Sequence, residues 1–175
     1  MPPANRVTRG DAEAILQTAG TAGLVLIKRA ETTPRAIPGA PADVDRRATI
    51  RPFKPPHGAD GRAFCAEDWH VIVLAIIDGG DAPFTRQDAE ASRNSLTVTF
   101  TLDGKPLSTT RTALKPSTDP ESFGFEEAWW FQEGRVMSPD ALSVGSHRLV
   151  VVQSDAKRPM KIEFSIDAPG SGACL

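Results

Sequence analysis

Between residues 95 and 102 apolar and polar positions alternate without interruption: Leu96, Val98, Phe100 and Leu102 against Thr97, Thr99 and Thr101. Successive side chains of a strand point to opposite faces, so the pattern predicts a strand with one apolar and one wet face. Asp103-Gly104 follows, a dipeptide that accepts the positive φ angles of a two-residue hairpin turn, and Lys105-Pro106-Leu107 starts the return. Ser108 to Leu114 then continues as a Thr-rich strand. Near the other end, Met160, Ile162, Phe164 and Ile166 alternate with Lys161, Glu163 and Ser165. Leu142, Val144, Leu149 and Val151 mark a further strand whose parity changes near Gly145. Trp69 to Ile77 is apolar on both parities except at His70, which predicts a strand covered on both faces. Phe125 to Gln132 reads as an aromatic strand, turned by Gly134.

Two places break this period. Thr8-x-x-Asp11 and Thr85-x-x-Asp88 each set a hydroxyl three residues before a carboxylate, close to a capping box. They predict short helices over residues 9–18 and 86–93. Gly23 to Lys28 reads as a short strand, and Ala48 to Phe53 as an edge strand, because Pro52 has no N–H for a central ladder.

Composition divides the chain in two. Residues 1–60 hold eight of the 15 prolines and carry nine basic against six acidic residues, or +3; residues 61–175 carry 11 against 16, or −5. Residues 31–47 are rich in Pro, Ala and Thr and lack any period, which predicts an extended arm. The expected organisation is therefore an N-terminal arm, 1–60, with a short helix and one or two edge strands, and a β-sandwich domain, 61–175. The fold class expected is all-β: an antiparallel sandwich with an irregular, proline-rich N-terminal extension.

The segment Leu142-Ser143-Val144-Gly145-Ser146-His147-Arg148-Leu149-Val150-Val151 resembles the turn that enters a late strand in bacterial immunoglobulin-like and fibronectin III-like modules, with Val144 where proline is common. The Leu96–Leu107 hairpin, with its Asp-Gly turn, is similar to hairpins of the same modules. The resemblance spans residues 67–167 and implies an immunoglobulin-like sandwich. It implies no reaction, because such folds host adhesins, accessory domains, chaperones and spacers alike. Cys65 and Cys174 flank the domain rather than forming a Cys–Trp–Cys core.

The net charge of −2 speaks against a dedicated nucleic-acid binder, which needs a basic surface. No run approaches the roughly 20 apolar residues of a membrane span. Asp11 and Glu13 precede the weakly apolar stretch 19–27, where a signal peptide carries positive charge, so a soluble protein of the cytoplasm is expected, with an exported or particle-associated one as the alternative. Cys65 and Cys174 bracket the domain and are a possible disulfide.

Three isolated histidines, His57, His70 and His147, lack metal-ligand spacing, and no nucleophile or phosphate-loop motif is present; no catalytic residue, metal or cofactor is implied. His147 is read as a packing residue that covers a turn and donates to a carbonyl, and His70 as a core histidine; both stand as an alternative site. Trp129, Trp130 and Phe131 are consecutive, so strand parity sends them to both faces; if Trp130 turns inward, Trp129 and Phe131 face out, to be covered by the N-terminal arm, by a partner or by a flat ligand, with plain burial as the other reading. Arg111 and Arg135 lie on neighbouring segments, placed to stack on an indole. These five residues are the expected binding surface, and Trp is enriched at interface hot spots. The function expected is that of a non-catalytic structural or interaction protein. It would dock a protein partner or its own copies through the arm and the aromatic strand. The alternative is a sandwich that binds a small ligand or carbohydrate, or hydrolyses one.

Overall fold

A computed structural model describes residues 8–18, 23–28, 49–53 and 62–174. The extended arm expected at 31–47 and His57 lie outside the described residues.

Thr85 caps the second helix as its spacing predicts. Its hydroxyl accepts the Asp88 N–H at 3.2 Å, while the Asp88 carboxylate accepts the Thr85 N–H at 2.8 Å. The Thr85 N–H and the Thr85 hydroxyl both donate to the exposed Asp88 carboxylate and hold it below the usual carboxylate range. Thr8 and Asp11 repeat the arrangement at the first helix. The elements are α1 (Arg9–Thr18), β1 (Gly23–Lys28), β2 (Thr49–Phe53), β3 (Arg62–Cys65), β4 (His70–Gly80), α2 (Arg86–Ser95), β5 (Val98–Leu102), β6 (Lys105–Leu107), β7 (Thr110–Arg111), β8 (Lys115–Pro116), β9 (Glu127–Met137), β10 (Gly145–Gln153) and β11 (Met160–Asp167). Short 3-10 turns lie at Glu121–Phe123 and Gly172–Cys174.

The strands form two sheets. The first runs β2-β1-β4-β9-β7, with β8 also on β9; the second runs β3-β11-β10-β5-β6. Val98, Phe100, Leu149, Val151, Ile162, Phe164 and Ile166 of the second sheet share one core with Ile72, Leu74 and Met137 of the first. The alternating pattern puts those residues on one face, and burying each large apolar side chain is worth roughly 1.5–3 kcal/mol. The hairpin turn has its expected form, with Asp103 at φ 52° and Gly104 at φ 77°.

The all-β, immunoglobulin-like expectation is corrected. The helical content is 19%, and the fold is mixed α/β with two open sheets that neither close nor curl. Three features account for it. The capped helices pack as parts of the fold rather than serving as connectors: α1 lies on β4 and β9, and α2 lies on the same two strands. The first sheet takes β1 and β2, both expected as strands, from the N-terminal region and carries both helices against its β4 and β9. The second sheet is not wholly antiparallel, because β3 pairs with β11 in parallel, Phe64 opposite Ile166.

Two local expectations also fail. Gly134 does not turn the chain; β9 runs straight through it, paired with β4 from His70–Met137 to Gly80–Glu127. Glycine is required there because a Cβ would collide with the Ile72 carbonyl oxygen. The Thr-rich strand expected at 108–114 is only Thr110–Arg111, because the chain leaves the second sheet after Leu107 and crosses to β9 of the first.

Strand β4 is covered on both faces, as its apolar run predicts. Ile72 and Leu74 join the shared core, whereas Val71 and Val73 point the other way and are still 0% and 1% exposed. On the latter side α1 supplies the buried Ala12 and Leu16. Among the described residues no helix is long and apolar enough to cross a membrane.

Candidate functional site

The aromatic strand β9 sets Phe131 and Trp130 on opposite faces, across from Ile76 and Ile77. Phe131 pairs with Ile76 and is buried. The guanidiniums of Arg93 and Arg111 lie 5.5 Å and 5.3 Å from its ring centroid. Phe131 therefore faces inward beneath α2 and is closed to a partner. Trp130 shows its ring to the Lys115 ammonium at 5.2 Å, and the same ammonium donates to the Gln17 carbonyl of α1 at 2.6 Å. Trp129 and Trp130 are both half-buried. Cation–π contacts of this kind are worth about 0.5–2 kcal/mol each.

Arg111 is an internal clamp. Its Nη2 and Nε donate to Glu133 Oε2 at 2.6 and 2.8 Å, and its Nη1 and Nη2 donate to the carbonyls of Arg93 and Leu96 at 2.6 and 3.1 Å. Arg93 returns a bond to the Thr112 carbonyl at 2.9 Å. The last turn of α2 is thus tied to β7 and β9 through one guanidinium, which matches the preference for positive charge at a helix C-terminus. Arg135 is not part of this network. It is exposed, and among the described residues its guanidinium reaches only the Ser108 carbonyl, at 3.5 Å.

His147 and Asp103 form the arrangement most like a catalytic one. His147 Nδ1 lies 2.6 Å from Asp103 Oδ2, and Nε2 lies 2.6 Å from the Ser143 carbonyl oxygen. Both are acceptors, so a ring carrying both N–H groups satisfies both. In a nucleophilic site the second nitrogen faces a hydroxyl or thiol. Here it is taken by main chain, and the ring stacks on Phe164 with centroids 5.5 Å apart. The pair fixes the loop before β10 to the hairpin turn. Burial opposes the charge on Asp103, but the Arg148 N–H, the bond from His147 and the charges of His147 and Lys105 outweigh it, leaving the carboxyl below its ordinary range. An open cleft of about 550 Å³ lies beside this pair, with Ser146, Arg148, Glu163 and Ser165 on its walls.

His70 is 1% exposed, and neither ring nitrogen has a hydrogen-bond partner. It packs edge-on against Phe64 at 6.1 Å. Burial, with a smaller effect of charge on His147, lowers its pKa from 6.5 to about 4. The ring is neutral over the ordinary pH range and acts as a core group.

Cys65 and Cys174 are joined in a disulfide, with Cα atoms 4.8 Å apart across 109 residues of sequence. Among the described residues no group of three His, Cys, Asp or Glu is placed to hold a metal ion. The structure therefore separates the residues singled out in the sequence. Trp129, Trp130, Phe131, Arg111 and Arg135 all lie on or beside β9, whereas His147 lies on the opposite sheet and His70 lies in the core between them. Sequence reading missed Glu133 and Asp103. The alternation of β9 gave no reason to bury Glu133, and Asp103 looked like a turn residue alone. A further cleft, between α1 and β9, was also beyond it, since no local pattern relates Arg9 to Arg135. No known protein family matches the chain, and no curated protein matches it in sequence.

Proposed function

We propose that this protein is a non-catalytic interaction module that docks through its N-terminal region and the sheet built on β4 and β9. The carrying observation is the way β1 meets β4. Gly23, Leu24 and Val25 pair with Ala75, Leu74 and Val73, and β2 then extends the sheet by pairing with β1. Strand addition uses main-chain hydrogen bonds, so an edge that takes a segment from its own chain is equally suited to one from a second copy or another protein. Trp129 and Trp130 are the parts of the aromatic strand that remain available to a partner; Phe131 is not. The carbonyl at His147 Nε2 weighs against the hydrolytic alternative. The disulfide supports work in an oxidising compartment, where such bonds persist, and so favours the exported alternative over the cytoplasm.

The test is particle mass by size exclusion with light scattering over a range of concentrations of the full-length chain, with hydrogen exchange at residues 73–75. Assembly, or a stably bound protein partner, is the expected result. A monomer at every concentration that carries no partner and keeps residues 73–75 protected by its own β1 overturns the reading.

A further inference from the structure

Between Met137, which ends β9, and Gly145, which begins β10, the chain passes from the first sheet to the second. Residues 138–144 make this crossing at the end of the core where His70 pairs with Met137. Three contacts hold it there. The Asp140 N–H donates to the carbonyl of Ala66, the residue after β3, at 2.8 Å. Leu142 is buried among apolar residues of both sheets. The Ser143 carbonyl faces His147 Nε2 at 2.6 Å. Of the three, only the last depends on a side chain that titrates. Val144, the next residue, is 57% exposed, so packing does little to hold the crossing at that point.

The Ser143 carbonyl and the Asp103 carboxylate can only accept, and they meet the two ring nitrogens of His147 at 2.6 Å each. The cationic ring donates to both. The neutral ring has one N–H to give. With that hydrogen on Nδ1, the stronger bond to the carboxylate is kept, and the Nε2 lone pair is set against the Ser143 oxygen. With it on Nε2, the Nδ1 lone pair is set against the carboxylate, which is worse. The ring has no room to turn aside, because it is 7% exposed and stacked on Phe164. Of the charged groups around it, Asp103 in the hairpin turn faces it directly, and Lys105 of β6 acts on that carboxylate. Arg148 of β10 and Glu163 of β11 lie 3.9 Å from each other on the wall of the adjoining cleft. His70 of β4 is the other imidazole whose charge would oppose that of His147, and burial keeps it neutral.

We propose that residues 138–144 form a strap that the protonated His147 holds shut, and that loss of this proton releases it. Ser143 then leaves the ring and draws Leu142 from the end of the core, while the Asp140 bond to Ala66 serves as the hinge. The open state admits water where β4 and β9 end at His70 and Met137. The device is independent of the docking reading and is measured by local order rather than by particle mass.

The experiment is an NMR titration of the full-length protein upward from about pH 5, a range in which His70, with its pKa lowered to about 4, stays neutral. The carbon-bound ring protons of His147 and the backbone amides of Leu142, Ser143 and Val144 are followed together. They are expected to change with one shared midpoint. Across it the amide order parameters of these three residues fall from about 0.85, the value of rigid backbone, to below about 0.6. His147→Gln has an amide that does not titrate, so its strap keeps the same order at both ends of the range; circular dichroism verifies its fold. His70→Leu and His57→Gln retain the step. If His147→Gln fails to fold, the two midpoints in the wild type decide alone. Equal order at both ends of the wild-type titration, a strap midpoint different from that of the His147 ring, a step that survives in His147→Gln, or a step lost in His70→Leu or His57→Gln overturns the proposal.

Discussion

The Arg111 guanidinium and the Glu133 carboxylate meet at 2.6 Å with side chains 22% and 8% exposed, and from that pair Arg111 reaches back to two carbonyls at the end of α2. One ion pair therefore fixes both the strand crossing at β7 and the seat of a helix. Removing one partner leaves the other charge poorly solvated, which is costlier than losing an exposed pair.

Arg111→Ala is expected to destabilise the fold by about 2–4 kcal/mol, below the full cost of breaking a buried pair because Arg111 is partly solvated. Arg111→Met with Glu133→Leu should recover much of that loss. Urea unfolding of both variants is the measurement. A loss under about 1 kcal/mol for Arg111→Ala would show that the network contributes little.

Acid is expected to act first through His70. Its folded pKa, about 4, lies below the ordinary 6.5, so the unfolded chain binds the proton more readily than the folded one. Stability is thus complete above pH 6.5, falls as the pH drops, and levels off below about 4, with a total loss of about 3 kcal/mol. Asp103, lowered in the fold, gives up its contribution only as the pH falls below the ordinary carboxylate range, in a lower window. Denaturation curves from pH 7 to pH 4 should show the slope in the wild type and a flattened one in His70→Leu. An equal slope in both would assign the acid sensitivity elsewhere.

Removal of the disulfide is expected to cost about 4–5 kcal/mol in the loop-entropy account, because the bridge closes a loop of 109 residues. Thermal melts of the oxidised protein and of Cys65→Ser with Cys174→Ser make the comparison. A melting temperature unchanged by the double substitution would show that β3 and the C-terminal turn are held by packing alone.

Gly134→Ala is expected to cost more than about 2 kcal/mol, because the added Cβ meets backbone rather than a side chain that is free to turn. Hydrogen exchange in β4 and β9 reports whether the ladder opens at that point. A stability within about 0.5 kcal/mol of wild type would mean that the two strands separate freely enough to admit a methyl group.

The parts of the fold legible in the sequence were those governed by local physics. The two Thr–Asp caps, the alternation at Val98 and Phe100 and the Asp103-Gly104 turn each depend on neighbours a few residues away. What was not legible depends on distant contacts. Nothing near Phe64 signals that β3 will lie parallel to β11, and nothing near Ala12 signals that α1 will cover Val71. Gly134 was misread for the same reason: its lack of a side chain answers to the Ile72 carbonyl, not to a turn. At the candidate sites, the aromatic residues of β9 stand out in the sequence. Their orientation does not, because it is set by Arg93 and Arg111, which approach from two other elements.

The parallel seat of β3 on β11 has a consequence for how the protein is made. Residues 62–65 are synthesised about a hundred residues before their only described strand neighbour, 164–167. The second sheet cannot acquire this strand, nor Cys65 its bridge to Cys174, until nearly the whole described chain has left the ribosome. Assembly dominated by such remote pairings is slow, and it leaves the second sheet without one edge strand, and the apolar face of Phe64 uncovered, until synthesis is nearly finished.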